Sequence, residues 1–344
     1  MISTAYVEID RHAGSGRPVT ISLAFSCMTT EVVSEYAFAK SAGFLDNPDF
    51  NTNLHDAIMA GQEVAMFLKP FPWLFKGLKA QLREVKEGKA PKSGIAGTTI
   101  FHELLNSKVL PKREKTVERL WQEGQVVIGA GTETTAWTLS VIVFYLLSNT
   151  HVLFKLRQEL EAAIPDPSTL PPLTGLEQLP YLICLPAPLT IIMRLPRIAP
   201  HEPLVFKPSD SSQFNSVSSS QNSKTVEWVI PPGTPVGMTS ALMHHHPALF
   251  PNSKAFIPER WIDENGKRRH DLEGCILSFS KGSRQCLGIN LAYAELYMTL
   301  AAVVRRFGDR LQLYETTTED VVMHRDIFIP VPKAGSKGIR VLVS

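Results

Sequence analysis

From Thr29 to Ala39 the apolar positions recur at helical spacing, and Pro48 between Asp46 and Asp49 makes a break. Asn53 to Leu68 repeats the helical pattern and stops at Lys69-Pro70-Phe71-Pro72-Trp73, where two prolines forbid a continuing helix. That segment is apolar and aromatic enough either to pack in a core or to touch a membrane surface. Gly88 to Gly97 reads as a loop of Gly, Pro and Lys. After Pro111, the run from Lys112 to Ser148 holds no breaker except Gly124, Gly129 and Gly131. As one helix it would measure roughly 55 Å. Its first half is amphipathic and its second half apolar on nearly every face, so it should pass through the core. Val126 to Leu147 is long enough to span a bilayer, but Glu133 with Thr132, Thr134 and Thr135 makes that expensive; a buried helix is expected. Asn149-Thr150 punctuates it, and His151 to Ile164 forms a second helix closed by Pro165 to Pro172.

Further on, Pro203 to Phe206 and Glu227 to Met238 read as short strands around a Pro-Pro-Gly turn. Between them, residues 209–223 place eight serines in fifteen positions, a low-complexity loop. A last helix runs from Leu287 to Phe307, followed by strand-like stretches between Leu311 and Val343. The predicted fold class is mostly α with small β-sheets, as a single domain over residues 1–344, without internal repeats.

Composition narrows the function classes. Apolar residues make up 44% of the 344 and charged residues 20%, which excludes a disordered, collagen-like or coiled-coil chain. The net charge of +2 offers no bulk attraction to nucleic acid. Cys27, Cys184, Cys275 and Cys286 form no C-x-x-C pair, so a disulfide framework or all-cysteine zinc site is not expected and a reducing compartment is the default. The opening stretch MISTAYVEIDRHAG carries charges and no apolar run, which reads as neither signal peptide nor membrane anchor. His244-His245-His246 has no second ligand cluster at metal spacing and reads as a solvated or half-buried loop rather than a zinc site.

The sharpest chemistry is Phe279-Ser280-Lys281-Gly282-Ser283-Arg284-Gln285-Cys286-Leu287-Gly288, directly before a helix. Gly282 permits a turn that a side chain would forbid. Gly288 lets the backbone approach a flat ring system. Cys286 precedes the helix, where free N–H groups and the positive dipole end favour a negative sulfur. Arg284 can pair with a carboxylate. A buried apolar cysteine is the bland alternative, but Phe279, two glycines and Cys286 at fixed offsets are a rare coincidence. On the central helix, Glu133 and Thr134 supply an acid and a hydroxyl, with Gly131 leaving room beside the backbone. A local widening of the helix there would suit such a site; alternatively Thr134 and Thr135 merely bond back to their own helix.

The pattern F-x-x-G-x-R-x-C-x-G resembles the haem-binding loop of cytochrome P450 monooxygenases. Ala130-Gly131-Thr132-Glu133-Thr134-Thr135 resembles the family's oxygen-activating segment, and Phe256-Ile257-Pro258-Glu259-Arg260-Trp261 its P-E-R-F/W segment. From about Val19 onward the chain resembles fungal microsomal members of secondary metabolism. The resemblance implies an incomplete P450 fold holding haem b, with Cys286 as axial iron ligand and Arg284, Phe279, Gly282, Gly288 and Gly131 around the cofactor. Thr134 and Glu133 would be the catalytic proton relay. It further implies an apolar small-molecule substrate, such as a terpenoid or polyketide, and electrons from an NADPH-cytochrome P450 reductase at the cytoplasmic side of the endoplasmic reticulum, with any membrane contact here peripheral. Lys281, Arg305 and Arg306 could form a basic face for that reductase.

Two departures stand out. The family's Glu-x-x-Arg helix is missing: Ile191 stands three residues before Arg194, and Ile183 to Met193 carries no charged side chain. Arg260, its expected partner, must reach solvent, find an acid such as Glu259 or Glu227, or stay unpaired at a cost of several kcal/mol. Ile183 to Met193 is expected to be irregular. The chain also starts well inside the family's usual length, which reads as N-terminal truncation. A non-catalytic, degenerate remnant with poor or no haem binding is the rival reading.

Overall fold

A computed structural model describes residues 2–50, 79–80, 82–89, 93–94, 97–186, 202–206, 227–237, 239–326 and 329–344. The chain opens with helix α1 (Ile2–Asp10), strand β1 (Val19–Thr20) and helix α2 (Ile21–Phe38). α1 has no counterpart in the sequence reading. α2 begins well before Thr29 because Ile21, Ala24, Phe25 and Met28 already fall on one buried face. It stops at Ala39, whose backbone is left-handed (φ 55°) and whose N–H bonds Glu35 O. Two 3-10 turns, Phe44–Asp46 and Pro48–Phe50, fill the expected break.

A short hairpin, β2 (Ser93–Gly94) with β3 (Gly97–Thr98), leads into α3 (Ile100–Asn106). The long run after Pro111 is not one helix from Lys112. Lys112–Lys115 is a 3-10 turn, and α4 (Val117–Ser148) starts where the Thr116 side chain accepts from Arg119 N. Asn149 then accepts from Val152 N and starts α5 (Thr150–Ala163). Two short helices follow, α6 (Leu173–Leu176) and α7 (Pro180–Cys184). Glu159 of α5 accepts from the N–H groups of Tyr181 (2.8 Å) and Leu182 (2.9 Å), which supplies α7 with the cap its own sequence lacks.

β4 (Leu204–Phe206) pairs antiparallel with β5 (Trp228–Ile230), Leu204 opposite Ile230. Then come α8 (Ser240–His244), a 3-10 turn Pro258–Trp261, α9 (His270–Glu273), a second turn Gly282–Arg284 and α10 (Ile289–Phe307). The chain closes with β6 (Leu311–Leu313), the hairpin β7 (Arg325–Asp326) with β8 (Pro330–Val331), and β9 (Arg340–Val343). β9 lies between β1 and β6, antiparallel to both, with Val341 opposite Val19 and Val343 opposite Leu311.

The mostly α architecture with small antiparallel sheets is the one expected. α2, α4 and α10 share the main core through Phe25, Met28, Leu139, Ile142, Leu300 and Phe307. A smaller cluster joins α2 to α3, where Phe38 and Phe101 stack at 4.6 Å. α4 is long and apolar enough to cross a membrane by length and composition, yet its packing against α2 and α10 makes it a core helix here. Asp10 accepts from Arg306 (2.7 Å) and Arg310 (2.9 Å), and Arg305 donates to Ile164 O (2.9 Å). Arg305 and Arg306 each hold part of their guanidinium on these contacts, Arg306 with its side chain still 40% exposed. The helical pattern at Asn53 to Leu68, the Lys69 to Trp73 segment, the serine-rich loop 209–223 and residues 187–193 lie outside the described residues. Of Ile183 to Met193, Ile183 and Cys184 complete α7, against the expectation of irregular chain there.

Candidate functional site

The segment before α10 is shaped by two left-handed residues, Ser280 (φ 59°) and Gly282 (φ 78°). Glycine adopts that conformation freely; Ser280 does so at a cost that surrounding bonds must offset. Ser280 N bonds Leu277 O (2.9 Å) and Cys286 N bonds Phe279 O (2.9 Å), closing the loop on itself. The Phe279 ring leans on Tyr293 of α10 at 5.0 Å, which stacks on Tyr297. Residues 281–285 and 287–288 are exposed, Leu287 by 89%, and Cys286 is half-buried. Cys286 stands just ahead of Gly288, the residue that starts α10. Arg284 is exposed and meets no carboxylate among the described residues.

The other cysteines are differently placed. Cys27 Sγ donates to Phe50 O and Cys184 Sγ to Trp261 O, and burial pushes both thiols up to about 12. Cys275 is half-buried against the core.

α4 runs as unbroken α-helix through Ala130 to Thr135, so the expected local widening is absent. Its two faces divide the chemistry. Thr132, Glu133 and Thr135 are buried. Thr29 donates to Thr132 O (3.0 Å), the Thr30 and Thr132 hydroxyls lie 3.1 Å apart, and Glu133 shares a hydrogen bond with Ser26. Desolvation raises Glu133 to about 7, with the Ser26 bond pulling the other way. Gly131 also faces α2: a Cβ there would stand 2.8 Å from Val33 Cγ2. The room expected beside Gly131 is occupied by Val33, which corrects its assignment to the cofactor: the missing side chain lets the two helices approach.

Other residues of the same stretch are open. Val126 and Ala130 are exposed, Thr134 is half-exposed, and a Cβ on Gly129 would meet nothing within 4 Å. Thr134 Oγ1 donates to Ala130 O (2.7 Å), the back-bond to its own helix. Neighbours on a helix point about 100° apart, and the structure gives Glu133 and Thr134 separate partners.

Glu295 of α10 was not singled out from sequence. It is buried, shares a hydrogen bond with Thr135, and burial raises it to about 8. That bond fixes the first half of α10 against the residue next to Thr134. Roughly 9 Å of helix axis separates Ile289 from Glu295, so the bond ties α4 to the half of α10 that follows the Cys286 loop.

Arg260 does not find either acid named for it. Its Nη2 donates to Asn252 O (3.3 Å), while Glu259 accepts from Lys155 (2.6 Å) and from Tyr181 Oη (3.0 Å). Partial exposure spares Arg260 the full cost of a buried unpaired charge.

These residues fit a haem. Among the described residues no group of three or more His, Cys, Asp or Glu could cage a metal ion. A single thiolate suits an iron whose in-plane ligands arrive with it. Gly282 and Gly288 leave open space beside that thiol where a Cβ would stand.

Comparison with known proteins agrees. The family model "Cytochrome P450" matches residues 2–186 and 215–335. Cytochrome P450 monooxygenase tpcC of Cochliobolus heterostrophus is 40% identical, over 96% of this chain and 67% of its own length. Cytochrome P450 monooxygenase MO6277 of Ascocoryne sarcoides is 38% identical, over 97% and 69%. Tryptophan 6-hydroxylase fscE of Fusarium equiseti is 38% identical, over 98% and 67%. The chain thus spans about two thirds of the length of these relatives. It belongs to the cytochrome P450 family of haem-thiolate monooxygenases.

Proposed function

We propose that this chain oxidises an apolar small molecule of secondary metabolism, such as a terpenoid or polyketide, with electrons from an NADPH-cytochrome P450 reductase at the cytoplasmic face of the endoplasmic reticulum. The observation that carries the reading is the Cys286 loop: a half-buried thiol ahead of α10, held by the Phe279–Cys286 backbone bond. Cys286 would be the axial ligand, Arg284 a partner of a haem propionate, and Phe279, Gly282 and Gly288 the residues that shape the loop. When bound, the haem supplies dioxygen activation, with thiolate donation favouring O–O cleavage.

The chain's own residues then have distinct tasks. Val126 and Ala130 offer an apolar wall and keep water from ordering beside the substrate. Thr134 keeps its hydroxyl hydrogen on Ala130 O, leaving the oxygen to accept a proton-bearing partner at the open face. Glu133, which burial raises to about 7, accepts from the Ser26 hydroxyl and is the acid that would take up and release the relayed proton. Relatives named as monooxygenases and as a tryptophan 6-hydroxylase support an oxygen-inserting reaction.

The test is reconstitution with reductase and NADPH. Thr134→Ala should leave the iron ligation spectrum unchanged and release hydrogen peroxide in place of product; unchanged coupling of NADPH use to product argues against its role. The second reading, a remnant that takes up no haem, is favoured by the lack of any carboxylate bonded to Arg260 among the described residues. Purified protein that gains no haem on incubation would select it.

A further inference from the structure

We infer that His244 is a positioning residue for the Cys286 loop, holding it through the backbone N–H of Leu277. The inference rests on the reading of Cys286 as thiolate ligand. His244 ends α8, is only 8% exposed, and presents its ring edge-on to Phe250 at 6.2 Å. Its Nε2 accepts from Leu277 N at 2.9 Å, across 33 residues of sequence. From there a short relay of backbone bonds reaches the thiol. Leu277 O receives Ser280 N, and Phe279 O receives Cys286 N, each at 2.9 Å.

The loop needs such an anchor. Ser280 and Gly282 both turn in the left-handed region, and apart from the 3-10 turn Gly282–Arg284 no α-helix or strand ladder fixes Leu277 to Cys286. A buried backbone N–H without an acceptor is costly, and His244 is the acceptor that Leu277 has. Only a neutral imidazole can accept there. Burial, with His245 adding to it, lowers His244 to about 4, so the acceptor is present at neutral pH. The three adjacent histidines do separate work: His245 Nδ1 meets Ser253 Oγ at 3.0 Å, while His244 turns inward.

The experiment is amide hydrogen exchange on the purified full chain, read at Leu277 and Cys286 with Val341 of β9 as a remote control. His244→Gln keeps an acceptor oxygen at the Nε2 position and should exchange like the parent. His244→Leu, which has no acceptor, should exchange about tenfold faster at both amides with Val341 unchanged. His244→Asn, whose oxygen stops short of Leu277, should follow the Leu variant and gives the answer if that variant does not fold. Unchanged exchange at Cys286 in the Asn or Leu variant overturns the inference; so does a Gln variant as fast as Leu. In haem-loaded protein the Leu variant should also lose part of its thiolate-type carbon-monoxide spectrum. Failure of the ligand reading is seen separately: a Cys286→Ser protein that keeps that spectrum removes the thiolate assignment and leaves the exchange result as it stands.

Discussion

The two faces of α4 carry similar side chains to opposite ends. Toward α2 and α10, Thr132, Glu133 and Thr135 are buried and bonded across helices, and Gly131 gives up its side chain to Val33. Elsewhere on the helix, Val126 and Ala130 are exposed, a Cβ on Gly129 would meet nothing within 4 Å, and Thr134 bonds back to Ala130 O. Polar content does not mark the working face of a core helix. Burial without solvent forces polar groups into partnership, so the richly bonded residues are structural, and the proposed function assigns cofactor and substrate to the sparsely covered ones. Glu133 spans the two roles, being buried with the first and adjacent in sequence to Thr134 of the second.

The comparison breaks most visibly through pH. The folded protein holds the Glu133 proton up to about 7, whereas the unfolded chain releases it near 4.5. Stability from this group is therefore full below pH 4.5 and is lost as pH rises through 7. Glu133→Gln should remove that loss and raise stability at pH 7 by on the order of 3 kcal/mol, with the gain shrinking toward pH 4. Urea unfolding at a series of pH values measures it, and a parallel downward shift at every pH would contradict the assignment.

The glycines sharpen the contrast with one substitution of opposite sign. Gly131→Ala pushes a methyl into Val33 and should lose about 1–2 kcal/mol, overpacking outweighing the gain in helix propensity. Gly129→Ala points into open space and should gain up to about 1 kcal/mol. Equal shifts in thermal midpoint would place both glycines on the same kind of surface. Smallest is the threonine pair. Thr135→Ala removes a buried partner of Glu295 and should cost about 1–2 kcal/mol. Thr134→Ala should stay within about 0.5 kcal/mol of the parent, its effect appearing in turnover coupling instead.

What was legible in the sequence follows from range. The Cys286 loop could be read because its turn glycine, phenylalanine and thiol are local and at fixed offsets. α5 and α10 could be read because periodicity and caps are local too. Gly131 was misread because its neighbour is Val33, on another helix. His244 was passed over because three adjacent histidines suggest a solvated or half-buried loop, while its bond to Leu277 depends on how α8 meets the segment before α10. α7 forms because Glu159 of α5 caps it, a contact no local pattern announces. Arg260 settled on a carbonyl oxygen, a partner that a search for acids does not consider.

The most direct measurement is the reduced carbon-monoxide difference spectrum of haem-loaded protein across the four single cysteine-to-serine variants. Cys27 and Cys184 hold neutral thiols on the carbonyls of Phe50 and Trp261, and Cys275 packs against the core. The expected result is a thiolate-type band in the parent and in the Cys27, Cys184 and Cys275 variants, and none in Cys286→Ser. A band that survives in Cys286→Ser, or that vanishes in Cys184→Ser alone, would contradict the assignment of the iron ligand.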